Sequence, residues 1–574
     1  MEAVALAPAH REHALSDMST EILDVLVIGG GVVGAGAALD AATRGLRTGL
    51  VEARDLASGT SSRSSKLIHG GLRYLEMLDF RLVAEALGER GLMLETLAPH
   101  LVKPVKFLYP LRHRGWERIY TGIGMALYDG MSKASGHGAG VPLHRHLSRR
   151  RALAEAPALR KDALVGALQY YDAKVDDARH TLTVARTAAA YGARIATRTR
   201  VVELLRDGDR VTGALVADLE SGARHAIRAR EVINATGVWT DETHGLLDER
   251  AQFRVRASKG IHVVVPRDRI RSSTGMILRT EKSVLFVIPW DRHWIIGTTD
   301  TDYTLDKAHP AASQADVRYL LDTVNEVLHT PLTEADVEGV YAGLRPLLAG
   351  ESEATSALSR EHAVGRSVPG LVVVAGGKYT TYRVMAKDAV DEAVAGLAET
   401  SDRRVPVSMT EQVPLLGADG YRAMCNSRHL LAAESGLSES RMTHLLNRYG
   451  SLTREILDLI RTSPDLGLPL EAADDYLRAE VVYGVTHEGA RHLDDVMCRR
   501  TRISIETFDR GTESCREVAE LMAQALNWTR ERTDREVELY LARVEAERES
   551  HTMPDDDSAA AARSRAAEFV ATAG

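Results

Sequence analysis

A glycine-spaced turn near the start of the chain limits its possible folds more than any other feature. Asp24-Val25-Leu26-Val27-Ile28 reads as a short buried strand that runs directly into Gly29-Gly30-Gly31-Val32-Val33-Gly34. An alanine-rich helix comes next, to about Arg44, and Gly45 closes it. A second strand, Thr48 to Val51, ends in Glu52, 18 residues past Gly34. This βαβ unit has the parts a dinucleotide needs. Gly29 permits the tight turn, Gly31 lets the backbone approach a pyrophosphate, and Gly34 lets helix and strand pack closely. The helix N-terminus adds amide donors and a partial positive charge. Glu52 can accept from ribose hydroxyls, and an acid there disfavours a 2′-phosphate, which argues against NADP.

Other segments extend the argument from a dinucleotide to FAD. Thr60-Ser61-Ser62-Arg63-Ser64-Ser65-Lys66-Leu67 comes soon after Glu52, and small hydroxyls in a loop can bond a pyrophosphate and a flavin. Asn234-Ala235-Thr236-Gly237 ends a later strand, and Gly376-Gly377-Lys378-Tyr379-Thr380-Thr381 succeeds another. Separated segments closing on one extended ligand suit FAD better than NAD. The expected cofactor contacts in these segments are Gly29, Gly31, Gly34, Glu52, Thr60, Ser61, Ser64, Ser65, Lys66, Leu67, Thr236, Gly237, Gly376, Gly377, Lys378, Thr380 and Thr381, with His69 and Val201 expected beside them.

At 574 residues the chain is long enough for two to four domains. Its 72 basic and 80 acidic residues leave a net charge of −8, so nothing calls for nucleic acid as a partner. Three cysteines without CxxC spacing argue against a disulfide scaffold or a structural zinc, and no metal site is expected. The fold class is mixed α/β, with an all-α region near the C-terminus where strand signals give way to helical spacing, as at Val518, Leu521, Met522, Ala525 and Leu526. The expected division is a disordered extension over 1–20 and interleaved FAD and substrate domains over 21–400. FAD parts fall at about 21–100, 165–255 and 340–400, and substrate parts at about 100–165 and 255–340. A linker over 401–420, a helical domain over 421–548 and a disordered tail over 549–574 complete it. One region departs from the global charge. Leu101 to Arg151 holds ten basic residues against Glu117 and Asp129, and includes the uncharged stretch Ile119 to Tyr128. Such a surface suits an anionic membrane, a solvated basic face or the entrance for an anionic substrate.

Several motifs resemble those of the quinone-linked, FAD-dependent glycerol-3-phosphate dehydrogenases. They are Lys66-Leu67-Ile68-His69-Gly70-Gly71-Leu72-Arg73-Tyr74-Leu75-Glu76, Val287-Ile288-Pro289-Trp290, Ile296-Gly297-Thr298-Thr299-Asp300, Gly343-Leu344-Arg345-Pro346-Leu347 and Gly376 to Arg383. The run Asp494 to Arg502 matches the helical cap of that family, and the similarity spans about Asp24 to Arg548. The resemblance implies a doubly wound FAD domain, a substrate domain like those of D-amino-acid oxidase and glycine oxidase, and an added helical domain. It implies oxidation of sn-glycerol 3-phosphate to dihydroxyacetone phosphate, hydride to flavin N5 and electrons on to a membrane quinone, menaquinone or ubiquinone. This would feed glycerol catabolism into a bacterial respiratory chain. It also implies a cytoplasmic protein held peripherally on the inner membrane's cytoplasmic face. An oxygen-reducing oxidase and a non-catalytic flavin protein are the alternatives. A homodimer is among the forms left open.

The reaction so implied needs a cation for the phosphate, a base for the hydroxyl and a cation near the flavin. Arg345 suits the first need through its guanidinium fork, with Arg73 and Arg360 next. His69 and His262 compete for the base. Lys378 is placed at the flavin by the resemblance, and Tyr74 and Thr381 are candidate donors to substrate or flavin. Asp300 reads as ordering a turn.

Overall fold

The computed structural model describes residues 4–71, 79–113, 115–134, 136, 140–247, 253–280, 284–349, 361–400 and 402–569. Two sheets face one another across the middle of the chain. The first has a parallel core in the spatial order Leu371–Gly376, Arg224–Asn234, Leu23–Ile28, Thr48–Val51 and Arg194–Ala196. His362–Val368 closes one edge antiparallel, and Thr199–Asp207 with Arg210–Asp218 forms a ribbon on Arg224–Asn234. Leu23–Ile28 is buried on both faces, which is why its residues, Asp24 apart, are an apolar run rather than an alternation. Helices Val32–Thr43, Asp177–Ala190 and Tyr382–Thr400 cover it.

The second sheet runs Thr301–Tyr303, Val255–Pro266, His293–Gly297, Val284–Trp290, Gly275–Arg279, Lys103–Leu111, Gly166–Lys174 and Leu67–Ile68. Gly339–Leu348 pairs antiparallel with Val255–Pro266 along nearly its whole length. The substrate sheet is thus larger than the sequence boundaries suggest. Gly166–Lys174 and Gly339–Leu348, expected in FAD parts, belong to it, because nine residues of the first pair with Lys103–Leu111. The chain returns to the FAD sheet at the helix beginning with Asp177.

Both ends differ from the disorder expected of them. Pro8–Thr20 is a helix, and Leu15 and Met18 on it pack into the core beneath Leu23 and Leu26. Arg11 is buried, donating to Thr197 O at 2.7 Å and pairing with Asp218. Asp556–Arg563 is likewise helical, with Ala559 and Ala562 buried. Low complexity in sequence did not mean disorder here, because the ordering contacts come from distant parts of the chain. The expected linker is also packed: Val413 and Leu415 enter the FAD-domain core, and Leu415 N donates to Leu97 O at 2.9 Å.

The helical domain is welded to the FAD domain by buried ion pairs. Arg500 and Arg499 both bond Asp55, at 2.8 and 2.6 Å. Arg502 reaches Asp176 and Asp177, each at 2.5 Å, and Arg179 pairs with Glu488. Removing one partner of such a buried pair typically costs about 3–5 kcal/mol. Among the described residues no helix is long and apolar enough to cross a membrane.

Candidate active site

A cavity of about 900 Å³ opens between the two sheets, at the upper end of what ligand sites span. Its floor is the glycine turn. Gly29 has φ +111°, and a Cβ there would lie 2.7 Å from Ala235 O, so only glycine fits. A Cβ on Gly34 would lie 1.9 Å from Gly29 O; this glycine serves helix–strand packing and does not line the cavity. Ser61 Oγ accepts from Val32 N at 2.9 Å at the helix start. Glu52 accepts from Gly30 N at 2.6 Å and Arg54 N at 2.8 Å, which fixes its carboxylate at one end of the cavity. Thr60, Ser61, Ser64, Ser65, Leu67, Val201, Thr236 and Gly237 line it, as do Gly376, Gly377, Lys378 and Thr380.

Besides Gly34, two expected cofactor contacts are placed otherwise. Lys66 turns its ammonium away from the cavity into the protein, where it bonds Asp177 Oδ1 at 2.7 Å and Ser62 O at 3.1 Å and is fully buried. A buried ammonium needs such partners, so Lys66 shapes the loop from below. Thr381 is buried outside the lining, donating to Lys378 O at 3.4 Å, and so holds that backbone rather than a ligand. Arg73, Tyr74 and Arg360 lie outside the described residues.

His69 and Lys378 also line the cavity, and the His69 ring lies 6.1 Å from that of Phe286, centroid to centroid. Thr380 ties the His69 backbone, accepting from its amide at 3.2 Å and donating to its carbonyl at 3.3 Å. Burial, with Lys378 and Arg90 nearby, holds the His69 imidazole below its ordinary value against the opposing pull of Asp172.

The opposite wall comes from the second sheet. Ser258, Gly260 and His262 alternate onto one face of Val255–Pro266. The Arg345 guanidinium lies over Gly260: a Cβ there would meet its Nη2 at 2.6 Å. Arg345 donates to Thr298 Oγ1 and Thr299 O at 3.1 Å and to Asp300 Oδ1 and Ser258 Oγ at 3.4 Å. Asp300 thus holds the fork of Arg345 rather than merely ordering a turn. His262 bonds Ser65 Oγ through Nε2 at 2.8 Å and stacks on Tyr341 with centroids 4.7 Å apart. Burial and the nearby charges of Arg345 and Lys66 push its pKa well below the ordinary imidazole value, so the ring is neutral near pH 7. Gly297 makes room for it, since a Cβ there would lie 2.2 Å from His262 Cδ2.

Sequence reasoning missed the supporting set of Ser258, Thr298 and Tyr341, together with Arg54 and Trp239 near Glu52. The Gly-Thr-Thr-Asp motif was a signal for Thr298; Tyr341 and Trp239 had none, being ordinary aromatics in a chain with 17 Tyr and 5 Trp. Among the described residues no cluster of His, Cys, Asp or Glu is arranged to hold a metal.

The donors, the glycine clearance and the volume of the cavity fit FAD, which Glu52, the glycine turn and Lys378 would help to hold. Such a site on a doubly wound sheet defines a flavin-dependent oxidoreductase. Residues 24–390 match the family described as FAD dependent oxidoreductase, and residues 408–533 match the C-terminal domain of alpha-glycerophosphate oxidase. A Mycobacterium leprae glycerol-3-phosphate dehydrogenase is 59% identical over 99% of this chain and 95% of its own length. The human mitochondrial glycerol-3-phosphate dehydrogenase is 38% identical over 91% of this chain and 73% of its own. A Bacillus halodurans glycerol-3-phosphate dehydrogenase solved with FAD superposes with a TM-score of 0.77 at 30% identity, covering 94% of this chain and 98% of that one. The chain belongs to the FAD-dependent glycerol-3-phosphate dehydrogenase family.

Proposed function

We propose that the protein oxidises glycerol 3-phosphate to dihydroxyacetone phosphate and passes the electrons to a membrane quinone. The observation that carries the chemistry is the placement of Arg345 and His262 on one wall, opposite the glycine turn. Arg345, its fork fixed by Thr298, Thr299 and Asp300, offers a planar donor set to the phosphate. His262, neutral near pH 7, takes the hydroxyl proton as the C2–H hydrogen leaves with its electron pair and the carbonyl forms. FAD, when bound, supplies the acceptor for those two electrons. Lys378 places positive charge at that end of the site, and Tyr109, Tyr170 and Phe286 wall it against water. Anaerobic addition of glycerol 3-phosphate to the purified yellow protein should bleach its flavin absorption. A quinone analogue should restore it, and little peroxide should form in air. No bleaching would refute the substrate, and rapid peroxide formation would favour an oxidase.

A surface helix supports the quinone partner. Trp116–Ala134 turns Trp116, Ile119, Tyr120, Ile123 and Leu127 outward along one stripe, with Ile119 and Ile123 each 65% exposed. The exposed cations Arg112, Lys133, Arg145, Arg149, Arg150 and Arg151 lie on or near this segment in sequence. An apolar stripe in a basic surround suits peripheral attachment to an anionic cytoplasmic leaflet, where quinone is dissolved. The protein should sediment with vesicles containing anionic lipid and be released by salt, and Ile119→Glu with Ile123→Glu should abolish sedimentation. Equal partition with and without vesicles would refute the attachment.

A further inference from the structure

The C-terminal segment from Met553 to Phe569 crosses all three structural units, and each unit anchors it. Met553 O accepts from Gln314 N at 2.8 Å, and Asp556 pairs with the fully buried Lys259 of the substrate sheet. Arg563 faces Glu547 of the helical domain at 3.5 Å. Phe569 packs into that domain's core, and its carbonyl accepts from Arg198 of the FAD domain at 3.1 Å. The eight-residue helix within this segment is too short to be stable alone, so its order comes from these anchors.

Between the anchors, Glu568 lines the large cavity. It takes a hydrogen bond from His309 Nε2 at 3.2 Å, and Arg54 and Arg200 lie within electrostatic range. Together they keep the carboxylate ionised, with its pKa at about 2. Arg54 and Arg200 also line the cavity, beside Glu52 and Val201. Since Glu52 marks the ribose and the glycine turn the pyrophosphate, this is the adenosine end. Glu568 is 40% exposed there, with acceptor capacity beyond its bond to His309.

We propose that this C-terminal strap is a wall of the cofactor site, and that Glu568 is a further cofactor contact which accepts from a hydroxyl or amino group of the adenosine and slows FAD release. The proposal rests on the cavity being the FAD site. The anchors in all three units must let go of the strap before that end of the cavity opens fully, so release is tied to local undocking rather than to the glycine turn alone.

The test uses the flavin-loaded full chain and tracks the rise of free-FAD fluorescence after dilution into flavin-free buffer. Glu568→Gln should speed release about threefold, the low end of what one net hydrogen bond contributes at a partly exposed site. Ending the chain after Thr552 should speed it about tenfold or more. The melting temperature of flavin-free Glu568→Gln should fall only slightly, by the loss of its partly exposed bond to His309. Identical release rates in the unaltered and Glu568→Gln proteins would overturn the contact, even if the shortened chain fails to fold. A lower melting temperature with unchanged release in the shortened chain would reduce the strap to a structural brace and overturn its role as a wall. An unaltered protein that neither holds nor takes up FAD would refute the cofactor reading itself.

Discussion

Tyr128 donates its phenolic hydrogen to Asp172 Oδ1 at 2.7 Å, while the phenol oxygen accepts from Gly70 N at 2.9 Å. Tyr128 lies on the inner face of the helix whose outer face carries Ile119 and Ile123, and Gly70 is the residue after His69. One phenol therefore joins the outward-facing apolar helix to the loop at the flavin end of the cavity. Burial and Asp172 hold its pKa well above the usual value, so it stays protonated. Tyr128→Phe leaves Gly70 N and Asp172 each short of a partner, and should destabilise the protein by about 1–3 kcal/mol in urea melts.

His262→Asn should lower kcat about 10²- to 10⁴-fold, the usual worth of a positioned base. Its pKa is lowered, so its proton-accepting form persists as pH falls. The unaltered protein should accordingly keep kcat/KM as pH drops through the ordinary imidazole value, about 6.5, and lose it only well below. A half-loss centred on that ordinary value in the steady-state profile would count against His262 as the base.

Arg345→Lys keeps the charge but loses the planar fork. It should raise KM for glycerol 3-phosphate about tenfold or more, while a melting curve with FAD shifts little. Arg345→Gln should be worse by a further order of magnitude.

His492 joins the helical domain to the FAD domain, bonding Glu536 at 2.8 Å and Glu220 at 2.9 Å. Burial and Arg198 oppose its charge, but the two carboxylates outweigh them, and its pKa is raised. A raised histidine contributes stability that is full below the unfolded value, about 6.5, and is lost as pH climbs through the folded value. The gap in melting temperature between the unaltered protein and His492→Gln should be wide at about pH 6 and narrow toward about pH 9. A gap independent of pH would mean the ring acts without its charge.

The glycine turn and Glu52 were legible because their geometry is local: a strand, a tight turn and a helix within about 30 residues. Arg345, His69 and Lys378 were legible through motifs and His262 only as a second titratable ring, and the structure gathers all four on one cavity. Lys66 was misplaced because its direction is decided by Asp177, 111 residues away. The strap was misread because Asp and Ala carry no local signal of docking; its order depends on Lys259, Glu547 and Arg198. His69 and His262 are not ranked by sequence alone, because the placement of Arg345 over Gly260, on the strand and face of His262, depends on the pairing of two distant strands.

The bond from Arg502 Nη1 to Ser62 O, at 3.3 Å, spans 440 residues of chain. At about 5–20 residues per second, on the order of 20–90 s separate the synthesis of the cofactor loop from that of the arginine beneath it. During that interval Lys66 and Asp177 lack the third member of their buried network. The flavin pocket is therefore among the last parts of the molecule to take its final shape on the ribosome, although its fingerprint is among the first to be made.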